Sequence, residues 1–138
     1  MKKLILLVAI LMITGTTFGQ VLQKGTLIGT HAMTVTLNAG VTMEQFIQFY
    51  SSKVLPEMNK IDPDWKVYLV KGIRGSINAN SFGLIHVIKS DKIRSKYMNA
   101  DGSSTELGNS VNQKIKPIMD ELNKFGTYTT NWTDWIIN

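Results

Sequence analysis

His31 and His86 are the only histidines in this chain, and it has no cysteine. An imidazole set in an apolar stretch suits general-base chemistry or a hydrogen bond that orients a ligand. His86 has that setting, because Phe82 to Lys89 is otherwise apolar except at its ends. Tyr68, Arg74 and Trp132 are the residues expected to join it, supplying a phenol, a fixed cation and an aromatic wall. A second grouping, His31, His86 and Asp134, offers two imidazoles and a carboxylate, a donor set suited to iron with open positions. The spacing does not fix which strand faces these three share, and histidines packed at a rim are the simpler account, so no metal and no cofactor is expected. Zinc is disfavoured by the lack of cysteine pairs or closely spaced histidines. Serines 51, 52, 103 and 104 lack a nucleophile context such as G-x-S-x-G. Glycines 72, 75 and 83 do not form a phosphate loop. Asn131-Trp132-Thr133 matches a glycosylation acceptor but falls inside an expected strand.

The elements that must position these residues follow a segment of another kind. Lys2 and Lys3 precede an unbroken apolar run from Leu4 to Ile13, and Thr17-Phe18-Gly19 offers a cleavage site. This order is that of a secretory signal peptide. The apolar run is well short of the roughly 20 residues a spanning helix needs. The expectation is therefore a signal over 1–19, a mature domain over 20–138 beginning at Gln20, and a secreted or periplasmic location with no membrane attachment after cleavage. Small exported folds often rely on disulfides; a chain without cysteine must rely on its core. The formal charge of +5 falls when Lys2 and Lys3 leave, and no dense Lys/Arg run remains. A nucleic-acid partner is not expected.

Residues 20–30 read as a leader. His31 to Leu37 alternates with period two, which predicts a strand with Met33, Val35 and Leu37 on one face. Thr42 and Gln45 form a capping box for a helix, whose stripe runs through Met43, Phe46, Ile47, Tyr50, Val54, Met58 and Ile61. Pro56 should kink that helix. Trp65 to Ile73 predicts a second strand, and Arg74 to Ser81 a turn. Phe82 to Lys89 predicts a third strand, apolar on both faces and therefore central in a sheet covered on both sides. A short helix from Ser90 or Asp91 to Met98 is broken by Asn99-Ala100-Asp101-Gly102, and a longer helix spans about Thr105 to Lys124. Tyr128 to Ile137, rich in Thr, Trp, Tyr and Ile, completes the set as a strand.

The order β-α-β-β-α-β predicts an α+β, ferredoxin-like domain: a four-stranded antiparallel sheet with two helical regions on one face. The topology makes the first and third strands neighbours, so that His31 approaches His86, and brings Asp134 on the last strand towards His31. The face without helices needs a cover that the chain cannot supply, and a second copy, sheet against sheet, supplies it. The expectation is a homodimeric α/β barrel.

This pattern resembles the dimeric α/β-barrel superfamily, in particular antibiotic-biosynthesis-monooxygenase-like domains. The resemblance rests on Thr34-Val35-Thr36-Leu37-Asn38-Ala39-Gly40 leading into Met43-Glu44-Gln45-Phe46, on Pro56 inside the first helix, and on the broken second helical region from Tyr97 to Gly102. It covers residues 31–137. It implies a homodimer whose lumen holds a small, often aromatic molecule, and leaves the activity open, because this fold hosts many chemistries. Haem-degrading members use a histidine on the second helical region. This chain has none between Asp91 and Gly126, which counts against that activity. The reading is an exported barrel that binds a small, largely apolar molecule, with cofactor-independent oxygenation or isomerisation, or a ligandless interaction module, as alternatives. Asn78, Asn80, Trp65, Trp132 and Trp135 are of types suited to an oxygenase pocket, although turn formation and barrel packing also account for them.

Overall fold

The computed structural model describes residues 22–75 and 78–138. The expected signal segment lies outside them. Four strands, β1 (Leu27–Leu37), β2 (Trp65–Val70), β3 (Ser81–Ile88) and β4 (Gly126–Ile136), form one sheet in the order β2-β3-β1-β4. Every neighbouring pair is antiparallel. With the helical segments falling between β1 and β2 and between β3 and β4, this is the expected ferredoxin-like α+β fold.

The helices are α1 (Met43–Phe49), α2 (Leu55–Met58), α3 (Asp91–Arg94) and α4 (Glu106–Leu122). Thr42 caps α1 with both halves of the capping box formed: its hydroxyl accepts from the Gln45 backbone N–H, and the Gln45 side chain accepts from the Thr42 backbone N–H. A π-helical turn, Tyr50–Val54, joins α1 to α2 just before Pro56. Proline lacks an N–H and its ring crowds the carbonyl four residues back. The wider turn, with the Leu55 N–H bonded to the Tyr50 carbonyl, takes up that conflict without ending the helical path. The core lies between this helical layer and one sheet face. Met33, Val35, Val67, Phe82 and Leu84 meet Phe46, Tyr50, Val54 and Leu122 there, all nearly inaccessible to water.

Several boundaries differ from the sequence reading, three of them near the site. β1 begins at Leu27 rather than His31, because residues read as a leader pair with both β3 and β4. Gly29 permits this: a Cβ there would crowd Asp134 and His86. β2 stops at Val70, opposite Gly83, two residues short of the start of β3, and Ile73 stands exposed beyond it. The helix expected to reach Met98 ends at Arg94, and Met98 instead forms an isolated bridge with Ser104. Among the described residues no helix is long and apolar enough to cross a membrane.

Candidate functional site

Side chains alternate between sheet faces, so His86 lies on the same face as the core residues Phe82 and Leu84. It looks towards the helices. His31, on β1, reaches the same face and stacks on His86 with ring centroids 4.2 Å apart. Trp65, on β2, completes the row: its indole N–H donates to His86 Nδ1 at 3.0 Å. Tyr97, in the segment after α3, packs edge-on against Trp65, and its hydroxyl donates to Asp62 Oδ2 at 3.0 Å.

A cavity of about 210 Å³ opens beside this row, between the sheet and α4. Trp65, Val67 and His86 form its sheet side, and Gly108, Val111 and Ile115 its α4 side. Met58 and Ile61 close one flank; Tyr97, Met98 and Ser104 close another. The lining is mainly apolar, with polar groups gathered near His86 and Tyr97. The backbone of α4 comes close to the Tyr97 segment because position 108 is glycine, since a Cβ there would collide with the Tyr97 carbonyl oxygen.

The electrostatics follow from burial. His86 is 6% exposed, and burial, then the neighbouring His31, push its pKa down to about 3. Burial also lowers the His31 pKa, partly opposed by the Asp134 carboxylate. His86 is therefore a neutral imidazole at physiological pH. Its Nε2 is buried and is the one buried side-chain nitrogen or oxygen without a hydrogen-bond partner among the described residues. Asp62 is buried as well; burial pushes its pKa up, but the Asp64 backbone N–H, the Tyr97 hydroxyl and Lys96 together bring it below the usual carboxylate range.

The residues singled out in the sequence do not all gather. His86 lines the cavity. Trp132 shares its sheet face but sits on edge strand β4, opposite His31 and beneath the Arg94 guanidinium, 5.7 Å from the ring centre. Tyr68 is on the opposite face, half exposed, and Arg74 is exposed beyond the end of β2. Asp134 does approach His31, but its carboxylate is held by buried Arg94. Among the described residues no cluster of three or more His, Asp or Glu is arranged to hold a metal. The sequence reading placed the ligand in a lumen between two sheets; strand parity instead sets His86 against the helix-side cavity. A broader, more open depression lies along Val70, Gly83 and Asn131. Tyr97 and Asp62 were missed because both come from irregular segments. The alternation of Trp65 and Val67 opposite His86 was the readable signal for the row.

The topology and cavity define a ferredoxin-like α+β domain with an apolar pocket between sheet and helices. No family model matches the chain, and no curated protein matches it. Among solved structures it is similar to SnoaB, a cofactor-independent oxygenase from Streptomyces nogalater. Two structures of that protein align: one at 11% identity, over 83% of this chain and 94% of that one, with a TM-score of 0.48. The other, a single-site variant, aligns at 12% identity over 79% and 91%, with a TM-score of 0.46.

Proposed function

We propose that this protein binds a small, largely apolar molecule in the cavity between β2, β3 and α4, acting after export as a homodimer paired through the sheet face that carries no helices. The observation that carries the reading is the cavity itself. An apolar cavity of roughly 150 Å³ suffices to hold benzene, and this one, at about 210 Å³, has room for a substituted or fused ring. Binding is favoured over base catalysis at His86. An imidazole whose pKa is pushed down to about 3 takes up a proton poorly at neutral pH.

A test fills the space. Tetralin, a bicyclic hydrocarbon, should bind the wild type saturably with one molecule per chain, measured by NMR titration. Val111→Phe places a ring in the cavity from α4 and should abolish that binding while leaving the circular dichroism unchanged. Equal binding to both proteins, or none to the wild type, overturns the reading. The second reading is oxygenation of the bound molecule without a cofactor, which the apolar, aromatic lining around Trp65 and Tyr97 suits by keeping water from reactive intermediates. Oxygen uptake with an electron-rich phenol such as 1-naphthol separates it from binding alone.

A further inference from the structure

Trp65 and His86 constrain one another in a way that reaches the ligand. The indole N–H is a donor only, and a neutral imidazole has one accepting and one donating nitrogen. The Trp65 N–H donates to His86 Nδ1, so the His86 proton must sit on Nε2. The charged form would set an Nδ1–H against the indole N–H, donor against donor. The depressed pKa of His86 agrees with this exclusion. The result is an Nε2–H donor lacking an acceptor among the described residues, on a residue 6% exposed whose ring lines the cavity; the nitrogen itself is closed to water, so a ligand reaches it only by pressing into this wall. Two other polar groups on the lining are paired: the Tyr97 hydroxyl donates to Asp62, and the Asn112 amide to the Ser104 hydroxyl. A buried donor without an acceptor is costly, and a ligand that supplies one removes the cost.

We infer that Trp65 is a positioning residue that fixes His86 as a hydrogen-bond donor, so that the cavity selects ring-sized apolar molecules carrying an accepting atom, such as a carbonyl oxygen, over the bare hydrocarbon. This rests on the cavity-binding reading and specifies its chemistry. It differs from a purely structural role for the Trp65–His86 bond, which would leave ligand preference unmoved.

The experiment combines two measurements. Long-range ¹H–¹⁵N NMR of the uniformly labelled protein reports the His86 tautomer, expected to be Nε2–H in the wild type and a mixture in Trp65→Phe, which keeps an aromatic ring and removes the N–H. Binding of 1-tetralone is compared with that of tetralin, which lacks the carbonyl. The wild type should prefer the ketone by about tenfold, the ratio one hydrogen bond commonly supplies. Trp65→Phe should reduce that preference towards parity, and His86→Phe should remove it, each read as the ratio of the two affinities within that variant. An Nδ1–H tautomer in the wild type, or equal wild-type affinity for the two probes, overturns the inference and leaves cavity binding standing. If neither probe binds, the cavity reading itself fails, and the selectivity with it. Should either variant fail to fold, the wild-type tautomer and probe ratio alone decide.

Discussion

At the scale of single residues, the neutral His86 ties site chemistry to stability. Its pKa in the folded chain, about 3, lies below the ordinary value of 6.5 that it regains on unfolding. Between those values the unfolded chain binds the extra proton, so stability is complete above about pH 6.5 and falls as pH drops towards about 3. The loss is about 1.4 kcal/mol per pH unit in that window, or on the order of 3 kcal/mol by about pH 4.5. His31, also lowered, acts in the same direction. Asp62 loses its contribution only as pH falls below the ordinary carboxylate value of 3.8, below the acid arm of the test at about pH 4.5. Urea unfolding at neutral pH and near pH 4.5 should show this drop in the wild type, and a clearly smaller one in His86→Gln, whose amide oxygen can still accept from Trp65. Equal drops in the two proteins would remove His86 as the cause. His86 was legible as the polar exception in an apolar strand. Its surroundings were less so: Tyr97 and Asp62 come from turns, where no periodicity marks a facing side chain, and the face of Tyr68 follows only from the observed β2–β3 register.

At the scale of elements, α4 forms the helical wall of the cavity, and its approach is set by its first turn. Thr105 caps the helix, accepting from the Gly108 N–H at 3.1 Å and donating to the Lys96 carbonyl at 2.6 Å. Its own N–H bonds the Tyr97 carbonyl at 3.0 Å. These contacts clamp the start of α4 onto the segment that carries Tyr97, and the missing side chain at Gly108 lets the two backbones touch. Gly108→Ala sets two effects against each other. Alanine gains up to about 1 kcal/mol of helix propensity, while overpacking a tight contact typically costs about 1–3 kcal/mol. Here the neighbour is a backbone carbonyl that the Thr105 bond holds in place, so overpacking should win. Thermal unfolding should show a net loss, and a melting temperature at or above wild type would mean that α4 shifts freely. The cap at Thr42 and the spans of α1 and α4 were readable because capping boxes and helical spacing are local signals. The π-helical turn was not, since Pro56 announces a conflict without saying whether the helix breaks or widens.

At the scale of the whole molecule, the order of strands and helices could be read because each element has its own period, and two crossovers of one hand leave few arrangements for them. The side of the sheet that holds the cavity could not, because both faces of β3 are apolar, and only the observed register with β1 and the packing of Phe82 and Leu84 on the helices show that the face they share with His86 is the helix side. The same register defines the opposite face. Tyr68, Val70 and Trp135 stand on it with 49%, 38% and 58% of their surfaces exposed. Ile85 pairs with Tyr68 between them, and Trp135 is held to Thr30 through its indole N–H. Large exposed apolar side chains on one sheet face, here among threonines such as Thr30 and Thr133, commonly mark an interaction surface, and the proposed occupant is a second copy, whose identical face would meet it about a two-fold axis. Such an interface should bury at least about 1,000 Å². The protein recovered from an exporting host should have the mass of a chain beginning at Gln20 and should sediment as two copies at low micromolar concentration. Ile85→Asp places a charge at the centre of that face, away from the core and the cavity, and should yield a folded monomer that still binds tetralin. A wild-type monomer in sedimentation sinks the pairing. An Ile85→Asp dimer moves it to another surface, and loss of tetralin binding on dissociation would show that the cavity depends on the second copy.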